Sequence, residues 1–235
     1  MEVRLVEIFS SIQGEGPSVG EPTLFVRFGG CDLRCRWCDS PHTWRPPGRC
    51  RFELEPGGER FREVDNPVEV ATVLEAARAL EVGTHRFVSL TGGEPLLQPG
   101  AIPLLQELCD SGRTVLLETS GERDISGVDP RVHRIMDLKA PGSDESHRNR
   151  WENIEHLSQR DEVKVVLSDR ADYDWAKAVI QEHDLASRVN AVLLSCVWGE
   201  LDPKDLVQWV LEDRLPVRVQ MQMHKLIWDA DTQGV

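Results

Sequence analysis

No uninterrupted apolar run in these 235 residues is long enough to cross a bilayer, so a membrane helix is not expected. The opening MEVRLVEIFSSIQGEG carries acidic residues early and lacks an apolar h-region, which excludes a signal peptide and leaves a cytoplasmic protein as the expectation. Basic residues are in deficit: 27 Lys and Arg stand against 40 Asp and Glu, a formal net charge of -13. That balance works against direct binding to a nucleic-acid backbone, which needs clustered cations, and favours small molecules or a protein partner. A disulfide framework is also missing, since three of the six cysteines crowd into eight residues.

What is present is a metal-binding loop. Gly29 to Asp39 reads Gly-Gly-Cys-Asp-Leu-Arg-Cys-Arg-Trp-Cys-Asp, with Cys31, Cys35 and Cys38 at C-x3-C-x2-C spacing. One such loop can turn three soft thiolates toward a common point, suited to iron–sulfur, zinc or copper(I). No fourth cysteine of matching spacing lies nearby, so one coordination position is expected to stay open for chemistry. A zinc knuckle completed by His42 is the alternative that the spacing leaves standing.

The rest of the chain alternates strands and helices. Extended segments are expected up to Ile12 and over Thr23 to Phe28, the second running through Gly29-Gly30 into the cysteine loop. Arg51 to Leu54 and Arg60 to Val64 flank Glu55-Pro56-Gly57-Gly58 and predict a hairpin, a polar insertion over 45–66 in a single domain of 1–235. Asn66-Pro67-Val68-Glu69 predicts a capped helix, carried on by Val70, Val73, Leu74, Ala77 and Leu80 and stopped at Gly83. Further strands are expected at 86–91, 114–118, 133–138, 163–167, 189–194 and 217–220, with helices near 102–109, 151–157, 173–185 and 203–211. That rhythm means βαβ units and a parallel sheet. With six or seven such strands the fold class is α/β, an incomplete TIM-like βα barrel.

Polar and glycine-rich residues then gather at one rim, the carboxyl ends of the strands. They include Thr91-Gly-Gly-Glu94, Glu118-Thr-Ser-Gly121, Asp137-Leu-Lys139, Ser195-Cys196 and Gln222 to His224.

The cysteine loop, with Trp37 before its last cysteine, resembles that of radical S-adenosylmethionine (SAM) enzymes, and Gly92-Gly93-Glu94-Pro95 resembles the motif that receives the amino group of SAM. Within that superfamily Ser11-Ile-Gln-Gly-Glu-Gly16, Phe25-Val-Arg-Phe-Gly-Gly-Cys31, Trp37-Cys-Asp-Ser40, Thr91-Gly-Gly-Glu-Pro95, Leu117-Glu-Thr-Ser-Gly121 and Gln222-Met-His224 resemble the 7-carboxy-7-deazaguanine synthase (QueE) family. The resemblance implies a lyase that converts 6-carboxy-5,6,7,8-tetrahydropterin to 7-carboxy-7-deazaguanine with loss of ammonia, toward 7-deazapurines such as queuosine. It implies a [4Fe-4S] cluster on Cys31, Cys35 and Cys38, SAM as a regenerated cofactor, and Mg2+ on Ser40. It also implies a flavodoxin or ferredoxin as electron donor; a homodimer is plausible.

Carried over by position, Trp37, Cys38, Asp39, Gly93, Glu94, Asp137, Leu138, Lys139 and Ser195 would line the SAM site. Ile12, Gln13, Gly14, Glu15, Arg27, Thr91, His224 and the terminal Val235 would meet the pterin, Arg27 through its carboxylate. Asp137-Leu138 departs from the Ser-Pro of some members, as Cys196-Val197-Trp198 departs after Ser195. A glycyl-radical activase and a zinc-stabilised binding module without catalysis are the rival readings.

Overall fold

The computed structural model describes residues 1–80, 87–229, 232 and 234. Its strands are β1 (Glu2–Val3), β2 (Leu5–Ile12), β3 (Pro22–Phe28), β4 (Arg49–Glu53), β5 (Phe61–Asp65), β6 (Val68–Glu69), β7 (Phe87–Gly92), β8 (Thr114–Thr119), β9 (His133–Asp137), β10 (Glu162–Leu167), β11 (Ala191–Cys196) and β12 (Arg218–Gln220). The α-helices are α1 (Val70–Ala79), α2 (Ala101–Asp110), α3 (Arg170–Glu182), α4 (Leu185–Arg188), α5 (Pro203–Asp213) and α6 (His224–Ile227). Among the described residues no helix is long and apolar enough to cross a membrane.

One ten-stranded sheet runs in the order β12-β11-β10-β9-β8-β7-β3-β2-β4-β5. The strands from β3 through β7 to β12 are all parallel. The sheet stays open between β12 and β5, a partial barrel as expected. Alternate residues divide its two faces. Val26, Leu90, Leu117, Met136, Val163 and Leu194 join the core under the helices, to which α2 adds Leu104, Leu105 and Leu108. On the other face Arg27, Thr91, Glu118, Asp137 and Lys164 line an interior cavity.

β2 runs antiparallel to β3, with Ile12 opposite Pro22. The chain therefore leaves β2 at the amino end of the parallel strands, and the loop beginning at Gln13 enters the barrel from the side opposite the cysteines. Gln13 and Glu21 close it by a backbone bond of 2.9 Å.

The expected hairpin forms, but β4 pairs in parallel with β2, so the insertion lengthens the main sheet. Helix α1 starts later than its sequence suggests. Asn66 is not an N-cap: its amide donates to Leu5 O at 2.7 Å and Pro47 O at 2.9 Å, and its carbonyl accepts from Leu5 N at 3.0 Å. Val68–Glu69 then pairs with β1 before the helix begins. The expected stop at Gly83 lies outside the described residues. Trp151–His156 is a 3-10 helix and not α. Helix α3 begins at Arg170 because Asp169 caps it, accepting from Asp172 N, and a left-handed Asp184 separates it from α4.

Candidate active site

The cysteine loop leaves β3 through Gly29-Gly30 and is tied down at both ends. Gly30 N donates to Thr43 O at 2.7 Å, and Arg36 N donates to Ser143 O at 3.1 Å. Cys31, Cys35 and Cys38 are free thiols, and all three line one cavity of about 670 Å3. Burial raises each of them, Cys35 to about 11 against the pull of the Lys139 charge. Soft donors on one loop beside an open cavity fit an iron–sulfur cluster. Assembly would have to displace their protons. Among the described residues no three His, Cys, Asp or Glu side chains are grouped as a single-ion site.

Beside the thiols runs the turn after β7. Gly92 adopts φ 112°, and a Cβ at Gly93 would stand 2.2 Å from Gly30 O, so only glycine permits this approach of two backbones. Glu94 is fully buried and turned away from the cavity. Its carboxylate accepts from Leu96 N, Thr119 Oγ1, Ser120 N and Ser120 Oγ at 2.7–2.9 Å, which makes it the buckle between the β7 and β8 turns. Leu138 is likewise turned from the cavity, 1% exposed and alternating with Asp137 and Lys139, which line it. Ser195, 2% exposed, stands in register with the cavity-lining Val166, and its buried Oγ has no hydrogen-bond partner among the described residues.

Trp37, Asp39, Ser40, Gly93, Asp137 and Lys139 do line the cavity. Lys139 Nζ lies 2.6 Å from Asp137 Oδ2. Burial would lower that ammonium, yet Asp137 and Cys35 hold it above the ordinary lysine value. Ser40 Oγ donates to Asp39 Oδ1 at 2.7 Å.

Where the loop beginning at Gln13 reaches the cavity, the lining turns strongly polar. Glu15 accepts from Lys164 Nζ at 3.1 Å, Gln220 Nε2 at 2.9 Å and Gln222 Nε2 at 3.0 Å. Burial would raise its carboxyl, but the Lys164 charge and the Gln222 amide hold it below the usual range. Gln13 Nε2 donates to Glu118 Oε1 at 3.2 Å, and Thr91 Oγ1 donates to Glu118 Oε2 at 2.8 Å. Ile12, Gly14 and His224 complete this end. Burial lowers the His224 imidazole, which favours its neutral form. Arg27 lines the cavity too, its Nε already donating to Glu7 at 2.9 Å. Val235 lies outside the described residues.

The structure thus brings together most residues singled out in the sequence, in two groups that share one space. Sequence reasoning placed Glu118 at the rim without a role and passed over Lys164. The signal was available for Lys164, a cation between Val163 and Val165 as Arg27 is one between Val26 and Phe28.

The sequence model of the Radical SAM superfamily matches residues 25–140. The 7-carboxy-7-deazaguanine synthase of Koribacter versatilis is 38% identical over 246 positions, covering 99% of this chain and all of the relative. That of Chlorobaculum tepidum is 39% identical, covering 99% and 97%. The chain belongs to the 7-carboxy-7-deazaguanine synthase family. The crystal structure of QueE from Escherichia coli shares the fold, with a TM-score of 0.71 at 20% identity over 95% of both chains. Membership in the synthase family, along the whole chain, sets aside the zinc-module and activase readings.

Proposed function

We infer that the chain is a radical SAM lyase that contracts the ring of 6-carboxy-5,6,7,8-tetrahydropterin to 7-carboxy-7-deazaguanine with loss of ammonia. The observation that carries this reading is the union of the cysteine loop with the Gln13, Glu15, Glu118 and Lys164 network in one cavity of about 670 Å3. When bound, the cluster and SAM would supply the one-electron chemistry that removes a hydrogen atom from the substrate. Everything else falls to the chain.

Cys31, Cys35 and Cys38 would hold the cluster. Trp37, Cys38, Asp39, the Gly93 backbone, Asp137 and Lys139 would hold SAM, for which a lysine beside the thiols offers a partner to a carboxylate. Ser40 would take Mg2+. Its hydroxyl gives its proton to Asp39 and so keeps its lone pairs for a hard cation.

The pterin belongs beside the loop that carries Gln13 and Glu15. Its amino-pyrimidine edge is a row of N–H donors and a carbonyl, and Glu15 and Glu118 offer acceptors while Lys164 and Gln13 offer donors. Ile12, Gly14, Thr91 and His224 would flank it, and Arg27 would take its carboxylate, since Glu7 occupies only Nε. A flavodoxin or ferredoxin as one-electron donor, and a homodimer, belong to the same proposal.

The test is to incubate the anaerobically reconstituted, reduced protein with SAM, Mg2+ and 6-carboxytetrahydropterin. The expected result is 7-carboxy-7-deazaguanine, identified by mass. Reductive SAM cleavage with the pterin intact would mean that the substrate lies elsewhere.

A further inference from the structure

Glu7 is 1% exposed on the inner face of the sheet, between two arginines. In register it stands opposite Arg27 of β3 and opposite Arg51 of β4. Each carboxylate oxygen takes one guanidinium: Oε1 accepts from Arg27 Nε at 2.9 Å, and Oε2 accepts from Arg51 Nη2 at 2.6 Å. Of the three, only Arg27 lines the cavity. Among the described residues Nη1 and Nη2 of Arg27 have no hydrogen-bond partner, so this fork remains available to an anion.

Counting charges shows what Arg51 adds. Arg27 with Glu7 alone is a neutral pair, and a neutral pair attracts a carboxylate weakly. With Arg51 the row carries one net positive charge. Arg51 is itself held by the hairpin, its guanidinium lying over the Phe61 ring at 4.9 Å from the centroid.

We propose that Arg51, supplied by the inserted hairpin, is a specificity-determining residue for the carboxylate of the pterin, acting by neutralising Glu7 so that the charge Arg27 presents to the cavity is not offset. This rests on the reading that Arg27 receives that carboxylate. Two unit charges several ångströms apart at an effective dielectric near 20 interact strongly enough to change an affinity by about tenfold or more. Arg51 is 48% exposed, so solvent reduces the effect to about fivefold.

The experiment compares the dissociation constants of 6-carboxytetrahydropterin and of tetrahydropterin, which lacks the carboxylate, on the cluster-loaded enzyme with SAM. Arg51→Met keeps an apolar stem over Phe61 and is expected to reduce the preference for the carboxylated pterin about fivefold, less at high salt. The double variant Glu7→Gln with Arg51→Met restores the net charge of one and is expected to return the preference to within about twofold of the parent. A merely structural role would weaken both pterins alike and leave the preference unmoved, which overturns the proposal. Arg27→Gln separates the two readings. If it keeps the preference, Arg27 is not the anchor and both fall; if it abolishes the preference while Arg51→Met does not change it, the role of Arg51 alone falls.

Discussion

Glu162 opens β10 only 6% exposed, and burial pushes its carboxyl up to about 7, with Glu118 adding to the push and Arg218 pulling back. In the unfolded chain the same group titrates near 4.5. Between those values the folded chain holds a proton that the unfolded chain has released, so this residue's contribution to stability falls as pH rises and is least favourable above about 7. Glu162→Gln is therefore expected to melt higher than the parent at pH 8, with the gap narrowing toward pH 5. Thermal denaturation at the two pH values checks this, and a gap independent of pH would show that the carboxyl is not the cause. Glu94 is a contrasting buried acid: burial raises it also, but four donors gather around it. Both are acids in strand-end positions, and composition alone does not distinguish them.

Between elements, the tightest polar tie joins β9 to the start of β10. Arg134, 6% exposed, donates through Nε at 2.9 Å and Nη2 at 2.7 Å to a fully buried Asp161, which also accepts from the Arg134 backbone and from Ser158. Removing one partner strands the other charge in the interior, so Asp161→Ala should cost about 3–5 kcal/mol in urea unfolding. Elements of this kind were legible where local chemistry decides them. Asp202-Pro203 stands just ahead of the helix expected over 203–211, and Asp202 accepts from Lys204 N at 2.9 Å at the start of α5. They were illegible where a distant partner decides: Asn66 looks like a cap but is taken by Leu5 and Pro47, and no periodicity tells that β2 runs antiparallel to β3. The site divides in the same way. The cysteine loop and Gln13 to Glu15 could be read from neighbours in sequence, whereas Glu7 acquires meaning only from the register that sets it between Arg27 and Arg51.

At the scale of the whole molecule the cysteine loop and the polar network share one cavity and meet where Gln222 Nε2 donates to both Glu15 and Asp39, yet they rest on different elements, so a lesion in one can be separated from a lesion in the other. Cys35→Ala should abolish cluster binding, seen as lost iron and lost visible absorbance, and with it all reductive SAM cleavage. Cleavage that survives would place the cluster elsewhere. The barrel reaches this arrangement without closing, and an unclosed sheet has two outer strands whose backbone groups are open to another chain. At one edge β5 exposes Arg62, Glu63 and Asp65; at the other β12 is three residues long and begins with an exposed Arg218. Short length and charge discourage edge-to-edge pairing of copies. An enzyme that must be kept concentrated and folded while its cluster is assembled thereby carries its own protection against aggregation.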